Sequence, residues 1–154
     1  MNLNNITAEY KKTKYCEEKH LTINIDGKLL DEILEENSPN SRYLGLVPTL
    51  LDWLEDEEEK NIVWSRIIPN INETTIAPIL MCPDDLDFYC TIIVAHIKSS
   101  EDKIIWEKIG IDITDDEDYP NSLGKTVKWF EEIGPFSFNR DEYIKFVNKF
   151  KENI

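Results

Sequence analysis

Apolar residues recur along the chain in short runs whose spacing alternates or follows a helix, and these runs predict the elements. Leu21, Ile23 and Ile25 alternate with Thr22 and Asn24, the period of a half-buried strand over 20–25, and Asp26-Gly27 then turns the chain. Leu29, Leu30, Ile33 and Leu34 form one helical stripe, with Asp31, Glu32, Glu35 and Glu36 expected to point away from it until Asn37-Ser38-Pro39 ends the helix. A loop through Asn40 and Arg42 leads to the apolar run 43–47, which Pro48 stops, and Thr49 is placed to cap a helix beginning at 50–54. That helix cannot continue amphipathically, because residues 55–61 carry no apolar side chain. Residues 61–68 fit a helix and a strand comparably, and 75–82 reads as a strand that Pro78 demotes to an edge or a bulge.

The longest pattern is a β-hairpin of 88–98 and 103–113 around a turn at 99–102, with Lys98 facing Lys103 so that paired numbers sum to 201. Both of its faces are at least half apolar, which calls for helices on one side and further protein or a partner on the other. Residues 127–133 read as a strand and Gly134-Pro135 as a turn. Asn139 and Glu142 have the spacing of a capping box before a C-terminal helix that places Tyr143, Ile144, Phe146, Val147 and Phe150 on one face. Residues 1–19 show no clear period and are expected to be a flexible arm or an edge element. The remainder, 20–154, reads as a single α+β domain whose antiparallel sheet has this hairpin at its centre.

Composition changes the picture mainly through charge. Seventeen Lys and Arg against 31 Asp and Glu give a net charge of −14 in 154 residues, a surface that repels nucleic-acid phosphates and anionic lipid. The acidity belongs to the body: residues 20–124 hold 7 basic and 23 acidic side chains, whereas 125–154 hold 6 and 5. Twenty-one Ile against 3 Ala suggests a bacterial source with AT-rich codons. No run of 18 apolar residues and no secretory signal is visible, and Cys16, Cys82 and Cys90 are an odd number at no zinc-like spacing. A cytoplasmic protein with free thiols is expected.

Candidate chemistry is sparse. His20 and His96 are the only histidines, and Cys90 and His96, six strand residues apart, lie roughly 20 Å from each other, beyond the reach of a nucleophile and its base. His96 is expected at the rim of the core, steadied by Glu107. The glycines are scattered singly, so no phosphate loop exists, and Asp84, Asp85 and Asp87 lack the spacing of a calcium loop. No catalytic residue, cofactor or metal is expected. What stands out is Asp52, Glu55, Asp56, Glu57, Glu58 and Glu59, six carboxylates over about 12 Å of helix, roughly one per 2 Å against one per about 1.7 Å on duplex DNA. Trp53 and Trp64 flank this run, and Asp115, Asp116, Glu117 and Asp118 form a second one. These twelve residues are the expected partner-binding set, since interfaces favour aromatic anchors ringed by charge. A solvated helix end is the plain alternative.

The segments Leu44–Pro48, Thr74–Phe88, Trp106–Asp112, Val127–Phe130 and Ile133–Phe136 look like landmarks of a group of proteins regarded as toxin antidotes. On these, and as a small acidic α+β domain, the chain resembles the bacterial immunity proteins that neutralise polymorphic or contact-dependent toxins. The resemblance implies a non-enzymatic cytoplasmic inhibitor that binds a basic toxin domain, a nuclease being one such, and it carries over no functional residue. Two other classes remain open: a metal-dependent or Cys/His hydrolase using Asp84 to Asp87 with His96, and a homodimeric scaffold that covers its second sheet face with its own copy.

Overall fold

The computed structural model describes residues 3–38 and 43–153, so the loop expectation at Asn40 and Arg42 and the helix stop at Pro39 lie outside the described residues. Among the described residues, two antiparallel sheets and three helices make up an α+β fold. The smaller sheet joins β1 (Ile6–Lys11), β2 (His20–Ile25) and β3 (Lys28–Leu29), with β1 as an edge strand. Asp26 and Gly27 both take positive φ, 53° and 83°, in the two-residue turn that pairs Ile25 with Lys28. All of β2 is buried, contrary to the half-buried alternation of its sequence. Thr22 tolerates this because its hydroxyl donates to Glu9 O at 2.8 Å, and the Asn24 amide nitrogen donates to Thr22 Oγ1 at 3.0 Å while its Oδ1 is left without a partner.

Helix α1 (Leu30–Asn37) follows, and Asp31 does not face solvent. Its carboxylate turns back to accept the Gly45 N–H at 2.9 Å and the Glu32 N–H at 2.9 Å, fastening the incoming loop, and burial pushes its pKa up. After β4 (Val47–Pro48) no helix starts at 50–54. Thr49 is engaged elsewhere: its hydroxyl donates to Pro78 O at 2.7 Å and its N–H to Ile79 O at 3.1 Å, supplying the partners that a β-strand would supply beside the bulge. The helix begins inside the acidic run instead, as α2 (Glu57–Arg66), with Asp56 capping Glu59 N–H at 2.9 Å. Carboxylates in a first turn are favoured by the positive end of the helix dipole, so the run that seemed to interrupt a helix opens one.

The larger sheet runs β4, β5 (Thr74–Met81), β6 (Ile92–Ser99), β7 (Lys103–Asp112), β8 (Val127–Trp129), and β7 also pairs with β9 (Phe136–Asn139). Pro78 sits at a bulge, as expected. The β6–β7 hairpin is real but its register differs: Ser99 faces Ile104 and Ile97 faces Trp106, two places from the expected pairing, and beyond them His96 faces Lys108. Glu107 is the extra residue of a bulge, which reverses the faces of β7 at that point. The first arm starts at Ile92 rather than Phe88, and the strand expected over 127–133 is only three residues long. Ile92, Ile93, Val94 and Ala95 are each 1 % exposed or less, so the chain itself covers both faces of β6.

Helix α3 (Arg140–Lys151) is capped by Asn139, which accepts Glu142 N–H at 3.0 Å, and buries Tyr143, Phe146, Val147 and Phe150. Tyr143 ties the layers together: its hydroxyl donates to Ile67 O at 2.8 Å and accepts from Trp106 Nε1 at 3.2 Å, beside the ring of Phe138. Cys82 and Cys90 are joined as a disulfide, which corrects the expectation of three free thiols; Cys16 alone is free. No helix among the described residues is long and apolar enough to cross a membrane.

Candidate acidic binding site

The first turn of α2 sends its carboxylates in three directions, because successive helical side chains diverge by about 100°. Glu57 lies with Asp52, Lys60 and Trp64 around one shallow hollow and pairs with Lys60 Nζ at 3.6 Å. Glu58 accepts a hydrogen bond from the Asn121 side-chain amide, on the loop that follows β7. Glu59 turns inward, 3 % exposed, and one of its oxygens, Oε1, has no hydrogen-bond partner. Burial, reinforced by the negative charges of Asp56, Asp87 and Glu58, pushes its pKa up to about 7.

The loop 112–124 is built to stand against this turn. Arg66, at the far end of α2, donates to Leu123 O at 2.6 Å, Asn121 O at 2.8 Å and Ile76 O at 3.2 Å, so one guanidinium holds loop, helix and sheet together. Asp112 accepts the Gly124 N–H at 3.0 Å and the Thr114 hydroxyl at 2.8 Å, closing the base of the loop. Asp116 accepts from Ser122 Oγ at 2.6 Å, Asp118 N–H at 3.0 Å and Lys125 Nζ at 3.3 Å, bonds that lower its pKa. Tyr119 stands between the two acidic runs. Its hydroxyl donates to Phe88 O at 2.5 Å, its ring meets Tyr89 edge-on with centroids 5.4 Å apart, and burial followed by the charges of Asp112 and Glu59 raises its pKa.

Two open hollows result, one on each side of Tyr119. The first, about 410 Å³, is lined by Asp112, Asp115, Asp116, Tyr89 and Cys90; the second, about 380 Å³, by Glu58, Glu117, Asp118 and Asn121. Six carboxylates thus border one tyrosine. The cations nearby are engaged: Lys125 lies on Asp116, and Arg66 is turned to backbone carbonyls. An arrangement of this kind offers a negative field, hydrogen-bond acceptors and an aromatic edge to a cationic side chain, and it contains no nucleophile paired with a base.

The expected partner-binding set is therefore divided. Glu58 and Asp115 to Asp118 come together, with Glu59 behind them, whereas Asp52, Glu57 and Trp64 form a separate group and exposed Glu55 joins neither. The tryptophans do not flank the site. Trp53 is half-buried and packs edge-on against His20 with centroids 5.1 Å apart, and the Trp64 ring is covered by Lys151, whose Nζ is 5.5 Å from its centre. The site's rings are Tyr89 and Tyr119, which sequence reasoning missed because 88–91 looked like strand and Asp112 and Tyr119 adjoin the acidic run without belonging to it.

Neither histidine lines the hollows around Asp115 to Asp118, and His20 instead borders a separate one with Glu17, Glu18 and Asp52. His20 is buried, with its ring nitrogens 2.8 Å from Thr13 Oγ1 and 2.8 Å from Leu21 O. His96 lies 3.6 Å from Glu107 Oε2, as expected, and pairs across the sheet with Ile76, whereas Ile92 faces Met81 at the end that leads to Asp84 and Asp87. The strand register separates His96 from Cys82 by six residues, roughly 20 Å. No family model, curated protein or solved structure matches the chain.

Proposed function

We propose that the protein is an immunity protein of the cytoplasm, a compartment that would hold the Cys82–Cys90 pair reduced, and that it neutralises a basic toxin domain, such as a nuclease, by seating it on the acidic cleft around Tyr119. The observation that carries this reading is the convergence of Glu58 from α2 with Asp112 and Asp115 to Asp118 from a loop more than 50 residues away, on either side of an ordered aromatic ring. Charges brought together by tertiary structure, and held by Arg66 and Asp112 at the cost of mutual repulsion, are better suited to a partner than to solubility alone, which scattered carboxylates would serve equally well. The net charge of −14 adds long-range attraction to a cationic surface. A nuclease fits because its own substrate is a polyanion, so a single basic surface would accept either ligand. Inhibition is then steric cover with complementary charge, and no bond is made or broken.

The test is protection from the toxin encoded beside this chain. Co-expression of the wild type should restore growth, and Glu58→Lys with Asp115→Lys and Glu117→Lys should abolish protection while the melting temperature stays within a few degrees, since exposed charges contribute little to stability. Full protection by the folded triple variant would refute the site.

A further inference from the structure

The loop between β5 and β6, whose Tyr89 and Cys90 line the acidic cleft, carries a second constellation of its own. Met81 and Ile92 face each other in the sheet, so the chain leaves β5 at Cys82 and re-enters β6 just after Cys90, with the two Cα atoms 6.2 Å apart. Asp85 folds back over this neck, and its carboxylate oxygen and the two sulfurs all lie within 4.8 Å of one another. We propose that in the reduced protein Cys82, Asp85 and Cys90 bind a thiophilic divalent cation of the zinc class, so that this loop is clasped by metal when the disulfide is open.

The chemistry fits at three levels. Zinc takes thiolate sulfur at about 2.3 Å and carboxylate oxygen at about 2.0–2.2 Å in a tetrahedron, which sets two sulfurs roughly 3.8 Å apart and leaves one position for water. Two sulfur ligands select zinc or cobalt over magnesium and calcium, which prefer oxygen. Beside the sulfurs, the Thr91 N–H points at Cys82 Sγ at 3.3 Å, a hydrogen bond that favours a thiolate.

The loop is also held by bonds other than the sulfur link. Leu86 N–H donates to Cys82 O at 3.2 Å, Tyr89 N–H to Asp87 Oδ1 at 2.9 Å, and Phe88 O accepts from Tyr119. Asp85 and Cys90 are exposed, so a cation can enter. Opening the disulfide consumes two electrons and two protons, which two molecules of a small thiol supply as they are oxidised to their own disulfide, and the cation then displaces one proton from each cysteine. Two thiolates, one carboxylate and a dication sum to the same single negative charge as a disulfide beside one carboxylate. Either closure therefore holds Tyr89 and Cys90 in the wall of the cleft without altering its field.

The full chain, reduced anaerobically with a water-soluble phosphine that is removed before titration, is titrated with Co²⁺ as the probe. The expected result is a thiolate-to-cobalt charge-transfer band that saturates at one cobalt per chain and is abolished by added Zn²⁺. It should be absent from the oxidised protein and from Cys90→Ser, and Asp85→Asn should bind at least about tenfold more weakly. Should a serine variant fail to fold, alkylating the three thiols of the folded reduced protein must remove the band, and alkylation before reduction, which reaches Cys16 alone, must leave it. Cobalt bound without a thiolate band marks carboxylates alone, and that outcome, or a band undiminished in Cys90→Ser, overturns the proposal. Toxin binding is not read, so this result and the preceding one stand or fall separately.

Discussion

Glu59 is where the acidic site meets the core. Its neighbours in the first turn of α2 are solvated, but its own carboxyl is 3 % exposed with Oε1 unpartnered, and burial raises its pKa from 4.5 to about 7. An acid whose folded pKa is raised binds its proton more tightly in the native state, so it costs nothing below about pH 4.5, where both states are protonated. Stability is lost progressively as pH rises through the window up to about 7, where the folded state must also ionise. Glu59→Gln removes this penalty. The variant should match wild type near pH 4 and exceed it by on the order of 1 kcal/mol at pH 8, read as a gap in denaturation midpoint that opens with pH. A constant gap across that range would show that ionisation of Glu59 is not its source. The raised pKa also follows from mutual repulsion with Asp56, Asp87 and Glu58, and a cationic partner at the cleft would lower it again.

At the scale of elements, α2 and the loop 112–124 form one unit because Arg66 spans them. Replacing it by Ala leaves three carbonyls without their charged donor, and should cost about 2–3 kcal/mol in denaturant unfolding. Hydrogen exchange should quicken selectively over 119–126 while the β6–β7 hairpin stays protected; uniform exchange throughout would mean the loop is not held in this way. Which elements were legible in the sequence follows the range of the forces that make them. The helix at 140–151 depends on its own cap and its own stripe, so Asn139 and Tyr143 announce it. The turn at Asp26-Gly27 is local in the same sense. The hairpin was visible but its register was not, since the Glu107 bulge lies beside Trp106, which packs under Tyr143 and Phe138, residues that arrive more than 30 positions later. The short β9, which sets Phe136 opposite Trp106, depends on that same packing. Glu57 to Glu59 misled because loss of an apolar stripe resembles a helix stop, whereas the dipole makes it a good start.

For the whole molecule, charge was readable from composition and its placement was not. Asp115 to Asp118 and Glu58 could be nominated as acidic runs, but only the fold puts them on the two sides of Tyr119, and only the fold shows Trp53 and Trp64 occupied with His20 and Lys151. The Cys82–Cys90 pair is likewise a product of strand register, invisible to spacing rules. A field produced by convergent carboxylates reaches about 30 Å at 10 mM salt and about 8 Å at 150 mM, so its effect on encounter is a property that salt removes. The most direct measurement is the stopped-flow association rate of this protein with the basic toxin domain that the proposal assigns to it, taken across that range of salt. The wild-type rate should fall at least about tenfold, and Glu58→Lys with Asp115→Lys and Glu117→Lys should already be slow at low salt. A rate indifferent to salt, or unchanged by reversal of those three charges, would contradict the acidic cleft as the place of capture.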